Sequence, residues 1–116
     1  MKKKIFVICP VRQADRITKV KLEEYTRILE EEGNCEVHLP HRDTNQKNSS
    51  FGICSENLEA IKNADEVHVW YNSKSQGIHF DMGAAFALGK KVVVIQNEPF
   101  GIEKSFAQLL DIWQKQ

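Results

Sequence analysis

Residues 66–96 read "EVHVWYNSKSQGIHFDMGAAFALGKKVVVIQ". The runs 66–71 and 91–96 are rich in β-branched and aromatic residues and read as strands. Between them lies a polar turn and then "SQGIHFDMGAAFALGKK", long enough for a helix, so the two strands cannot form a hairpin. Two further runs repeat the theme, "KIFVIC" (4–9) and "CEVHL" (35–39). The segment "DRITKVKLEEYTRILEEEG" between them places Ile17, Val20, Leu22, Tyr25, Ile28 and Leu29 near a helical period, with Gly33 at its C-cap. "SENLEAIKNA" starts a second helix with Ser55 as N-cap before Leu58 and Ile61. "EKSFAQLLDIWQ" makes a last one with Phe106, Leu109, Leu110 and Trp113 on one stripe.

The order is therefore β-α-β-α-β-α-β-α. Helix-length crossovers between successive strands require parallel pairing with right-handed connections. The expectation is an α/β fold: a small doubly wound parallel sheet of four to five strands with helices on both faces, of the flavodoxin or Rossmann kind. With 116 residues and 41% hydrophobic composition the chain builds one core, so residues 1–116 are read as a single domain. In the run 66–71 Glu66, His68 and Trp70 share one face; that face is either partly exposed or covered by a partner subunit.

Composition removes several classes of function. Sixteen basic residues balance sixteen acidic ones, so no global field draws the chain onto a nucleic acid polymer. "IFVICPV" after "MKKK" is too short for a signal segment and contains proline, and no run spans a bilayer, so no membrane partner is expected. Cys9, Cys35 and Cys54 are odd in number and form no C-x-x-C pair, which fits a reducing, cytoplasmic setting. His38 and His41 straddle Pro40 without a partner at ligand spacing, so neither a metal nor another cofactor is expected.

A parallel sheet of this kind binds ligands at the carboxyl ends of its strands. The unusual residues sit there: Pro10–Arg12, His41–Gln46 and Asn72–Gly77. The stretch from Pro40 to about Gly52 reads as a long loop, either functional or a solvated connector. Gly77 lets backbone approach a ligand, and the amides after it open a helix whose positive end favours an anion such as phosphate. Ser75 is either a hydroxyl donor to that anion or the N-cap of the helix. Asp81, four residues after Gly77, either complements the helix dipole or faces the same crevice. Gly83, inside the helix, calls for close packing on the sheet. "PVRQAD" after the first strand lacks the glycine-rich fingerprint of a dinucleotide site.

From "IFVICPVR" through "ENLEAIKNADEVHVW" to "SQGIHFDMGAAFALGKKVVVI" the chain resembles the nucleoside 2-deoxyribosyltransferase superfamily, and most of all its small nucleoside 5′-monophosphate N-glycosidases. The most specific element is Ser-x-Gly-x-x-x-acid-x-Gly-x-Ala, here Ser75, Gly77, Asp81, Gly83 and Ala85. The resemblance implies that Asp81 is a carboxylate nucleophile, with Asn57 close by, and that Ser75, Gly77 and Arg12 of "PVR" hold a 5′-phosphate. Its ligand would be a small nucleotide or nucleoside, and similar enzymes form homodimers or larger homo-oligomers. Two departures stand out: the nucleophile position holds Asp rather than Glu, and Ser50 occupies the place of a second carboxylate. Asp43 is the expected substitute, with His41 or Arg42 near base or phosphate. The alternative is a binding module of the same fold that senses a nucleotide or nucleotide-sugar and breaks no bond.

Overall fold

The computed structural model describes residues 2–116. The chain runs β1 (Lys3–Ile8), α1 (Arg16–Glu31), β2 (Cys35–His38), α2 (Pro40–Asp43), α3 (Ser50–Asn63), β3 (Glu66–Trp70), α4 (Gln76–Ala87), β4 (Lys91–Gln96) and α5 (Phe106–Gln114). The four strands form one sheet in the order β2-β1-β3-β4, every pair parallel. The register pairs Ile5 with both Val37 and Glu66, and Val67 with Val92. The ladder is irregular only between Val69 and Trp70, where β4 carries one extra residue before Gln96.

Pleating divides the core in two. Phe6 and Ile8, with Val67, Val69 and Val92, pack under Ile61 of α3, Ile78, Met82 and Ala85 of α4 and Leu110 of α5. Ile5, Val7 and Cys9 on the other face pack under α1 through Leu22 and Leu29. Helices thus cover both faces, unequally: three on one side, one on the other. Within α1 only Leu22 and Thr26 are buried, while Ile17, Val20 and Ile28 are exposed, because a single helix presents one stripe to the sheet and these three lie off it.

Glu66 and His68 are buried on the α1 face, against the expectation that this face is partly wet. Tyr25 of α1 closes over them. Burial depresses the His68 pKa, so its ring is neutral; Nε2–H donates to Glu66 Oε1 at 2.8 Å and Nδ1 accepts from the Tyr25 hydroxyl at 2.6 Å.

Several local readings need correction. Helix α3 is capped six residues before the expected Ser55: Ser49 is its N-cap, its hydroxyl accepting from Gly52 N at 3.0 Å. What reads as one long loop from Pro40 to Gly52 is instead the short helix α2, a turn and the first turn of α3. The C-cap of α1 is Glu32; Gly33 follows it with room for no Cβ, since Leu29 O would lie 2.8 Å away, and Asn34 takes the left-handed position at φ 52°. Gly83 is exposed and a Cβ there would meet nothing within 4 Å, so the close approach of α4 to the sheet comes from Ala85 instead. Trp113 packs partly buried against the protein's own core and donates Nε1–H to Lys90 O at 3.2 Å. No helix among the described residues is long and apolar enough to cross a membrane.

The two serines give a direct check. Ser49→Ala should cost about 1 kcal/mol in urea unfolding, the loss of a cap hydrogen bond, whereas exposed Ser55→Ala should stay within about 0.5 kcal/mol of the parent.

Candidate active site

From β1 the chain crosses to β2 on one side, and from β3 it crosses to β4 on the other. The connections therefore part above the carboxyl ends of β1 and β3 and leave a crevice there. A cavity of about 560 Å³ lies in this crevice, within the range that accepts a small molecule. The loop after β1 contributes Cys9, Val11, Arg12 and Gln13, and α2 with the turn after it contributes Pro40 and Gln46. Helix α3 supplies Ser50, Ile53, Cys54 and Asn57, and Lys74 with the start of α4 supplies Ser75, Gln76, Gly77, Phe80 and Asp81.

One end of this cavity suits an anion. Ser75 is the N-cap of α4; its Oγ accepts from Ile78 N at 3.3 Å, which leaves the hydroxyl proton free to donate to a ligand. The cap and donor readings of Ser75 are therefore compatible. A Cβ on Gly77 would meet nothing within 4 Å, so neither packing nor a left-handed φ requires glycine there; its absent side chain leaves the helix amides open to the cavity. Arg12 and Lys74 add positive charge to the same lining.

Asp81 is the only carboxylate lining the cavity among the described residues. It sits in the second turn of α4, six residues after the cap, beyond the first turn in which a carboxylate best complements the helix dipole. It is 6% exposed. Burial pushes its pKa up to about 7, with the polar side chain of Asn57 pulling the other way. Cys9 is its neighbour: burial, and then the charge of Asp81, push the thiol up to about 12, so it stands beside the carboxylate as a neutral group.

Asn57 is itself held from behind. Its Oδ1 accepts from the Thr44 hydroxyl at 2.7 Å, and Thr44 Oγ1 lies 2.8 Å from His38 Nε2.

The expected residues divide into two groups. Asp81, Asn57, Ser75, Gly77 and Arg12 come together on the cavity wall. Pro10 is fully buried and does not line it. Asp43 is spent on α2, where Oδ2 accepts from Leu39 N at 2.8 Å and the carboxylate pairs with Arg42. Arg42 also grips Glu30 at 3.0 Å and Val37 O at 2.9 Å. Both border a separate cleft of about 260 Å³ beside β1 and β2. His41 points to Glu23, 4.0 Å away, and is likewise absent from the cavity wall. Folding of 40–43 into a helix turns these three away from the site. Ser50, at the position of the missing carboxylate, does line the cavity, so the departure leaves that wall uncharged.

Sequence reading passed over Cys9, Gln13, Ile53, Cys54 and Phe80 as cavity residues. Cys9 and Gln13 flank the "PVR" segment and could have been found from it. Ile53 and Cys54 become visible only once the helix start is placed at Ser49, whereas Gln46, expected at this edge, is held there by its Nε2 donating to Pro40 O at 2.9 Å. Among the described residues no three ligating side chains gather as a metal site would require.

Burial of Asp81 has a consequence for stability. Its folded pKa of about 7 lies above the ordinary 3.8, so the native state keeps a proton that the unfolded chain has lost, and stability falls from about pH 4 to about pH 7, then levels. Asp81→Asn should abolish most of that decline: in urea unfolding it should be more stable than the parent by ~2–4 kcal/mol at pH 8, and nearly equal to it at pH 4.

No protein-family model matches the chain, and no curated protein matches it in sequence. Solved structures do. A CMP N-glycosidase from Clostridium botulinum superposes with a TM-score of 0.67 at 22% identity, covering 97% of this chain and 84% of the other. A 2-deoxyribosyltransferase from Bacillus psychrosaccharolyticus gives 0.66 at 23% identity, covering 85% and 77%. A 2-deoxyribosyltransferase from Leishmania mexicana gives 0.62 at 20%, covering 83% and 65%. Together with the strand order, these superpositions give this chain the fold of the nucleoside 2-deoxyribosyltransferase superfamily.

Proposed function

We propose that this protein cleaves or transfers the N-glycosidic bond of a nucleoside 5′-monophosphate, with Asp81 as the nucleophile. The observation that carries the reading is the pairing, in one cavity, of a single buried carboxylate with an anion-binding helix end. A ligand with phosphate at one end and a reactive anomeric carbon further in suits that polarity. The structural likeness to a CMP N-glycosidase and to 2-deoxyribosyltransferases supports the same chemistry.

In this reading the phosphate accepts hydrogen bonds from the Ser75 hydroxyl and from the backbone amides of Gln76 and Gly77, with Arg12 and Lys74 neutralising its charge. Ionised Asp81 attacks C1′; an O–C1′ bond forms as the C1′–N bond breaks, and the departing base takes a proton from solvent, since no second carboxylate lines the cavity. Water then attacks C1′, releases Asp81 and yields its proton to solvent. An acceptor base in place of water makes the reaction a transfer. A second copy of the chain belongs to this proposal as well: Phe80 on the cavity wall is 49% exposed and Phe51, next to Ser50, is 84% exposed, and a subunit seated on them would close the cavity.

Two features favour a second reading, a nucleotide-binding module without turnover: the nucleophile is the shorter Asp, and the wall at Ser50 has no acid. One experiment separates them. Purified protein is incubated with ribo- and deoxyribonucleoside 5′-monophosphates and the matching nucleosides, and free base is followed by chromatography. Turnover should appear with monophosphates and fall about a thousandfold or more in Asp81→Ala. Ser75→Asp should raise KM for monophosphates at least about tenfold by placing a like charge against the phosphate. For the parent, kcat/KM should climb as pH passes through about 7 and Asp81 ionises. No base from any substrate, with ligands still raising the melting temperature, would establish the binding module instead.

A further inference from the structure

The backbone amides around the start of α4 are nearly all occupied. Ser73 N donates to Glu98 Oε2 at 3.0 Å, Lys74 N to Asn72 Oδ1 at 2.9 Å, Ser75 N to Asn72 O at 3.0 Å, and Ile78 N to Ser75 Oγ at 3.3 Å. In this stretch, among the described residues, Gln76 N–H and Gly77 N–H alone have no partner, and both residues line the cavity. The carbonyl of the cap is held in a way the other capped helices do not share. In α1, α3 and α5 the cap carbonyl takes the backbone amide four residues on: Lys19 N to Asp15 O at 3.0 Å, Ile53 N to Ser49 O at 2.8 Å and Leu109 N to Ser105 O at 3.0 Å. In α4, alone among these helices, a side chain reaches it: His79 Nδ1 lies 2.7 Å from Ser75 O. A carbonyl only accepts, so the ring proton is on Nδ1, and in the neutral ring Nε2 accepts from the Tyr71 hydroxyl at 2.8 Å. The ring is wedged between Tyr71, just past β3, and Phe106 at the start of α5, with centroids 5.4 and 5.0 Å away at 85° and 62°.

We propose that His79 is a positioning residue for the phosphate end of the cavity: by gripping Ser75 O it fixes the Ser75–Gln76 peptide and so aims the free Gln76 N–H at the ligand, while Tyr71 holds the ring in the tautomer that can do this. A trans peptide is planar, with its carbonyl and its amide pointing in opposite directions, so pinning the oxygen sets the direction of the N–H. On the other side of Ser75, its own N–H is tied to Asn72 O, so the residue is anchored at both ends. A donor held in place before the ligand arrives loses little freedom on binding, which is where its contribution to affinity comes from. Neither His79 nor Tyr71 lines the cavity, so the effect passes through the backbone. The two aromatic neighbours bring β3 and α5 into the same brace: the ring cannot swing away from Ser75 O without leaving both. The consequence for a ligand rests on the phosphate reading of this helix end; the brace itself does not.

The test compares the parent with His79→Leu, which removes the donor, and His79→Asn, whose side-chain N–H falls near the place of Nδ1 and restores it. Ring ¹⁵N shifts of the parent should show the neutral His79 ring protonated at Nδ1. In ¹⁵N relaxation of the ligand-free proteins, the order parameter of the Gln76 N–H should stay near about 0.85 in the parent and in His79→Asn and fall to about 0.6–0.7 in His79→Leu. Titration with inorganic phosphate should shift the Gln76 and Gly77 amide signals saturably, with affinity about five- to tenfold weaker in His79→Leu and within about twofold of the parent in His79→Asn. A neutral ring protonated at Nε2, an unchanged order parameter or phosphate affinity in His79→Leu, or an equal loss in His79→Asn would each overturn the proposal. Absence of any phosphate response in the parent, alongside the expected relaxation changes, would refute the phosphate reading and leave the brace intact.

Discussion

The parallel pairing of β1 with strands on both sides constrains everything else in this molecule. A parallel neighbour can be reached only by a crossover that covers a face of the sheet. Leaving β1 in one direction and β3 in the other means that two crossovers diverge above adjacent strand ends. No backbone fills the gap between them, and side chains from four segments converge there. The cavity is thus a consequence of strand order. Its contents are what the connecting segments bring.

What they bring is electrostatically unequal. A carboxylate buried to 6% exposure is costly to ionise, and among the described residues no cation pairs with it. The helix end, Arg12 and Lys74 supply positive charge further out, where a ligand would carry its own negative charge. Burial therefore pushes the Asp81 pKa up to about 7. Perturbed carboxylates of this kind gather at functional sites because function needs them to change state.

A second buried polar cluster behaves differently. Tyr25, His68 and Glu66 satisfy one another on the α1 face, away from the cavity, with Lys3 at 3.6 Å and Lys91 at 3.9 Å near the carboxylate. Each group has a partner, so the cluster locks α1 onto the sheet. It also shows why a charged residue at a strand position is a poor guide to exposure.

The amino-acid sequence by itself determined the β-α alternation, the parallel sheet, and the strand limits to within a residue or so, because periodicity and β-branched content report local geometry directly. It also marked Asp81, Ser75, Gly77, Arg12 and Asn57, through motif spacing on α3 and α4 and in the β1 loop. Only the tertiary structure decided that Asp43, Arg42 and His41 leave the site, since that depends on residues 40–43 coiling into a helix and Arg42 finding Glu30, twelve positions away. The same holds for Gly83, whose openness depends on which face α4 turns to the sheet. His38, Thr44 and Asn57 are separated by six and thirteen positions and share no pattern; hydrogen bonds between distant residues exist only once packing has excluded water and brought them within 3 Å.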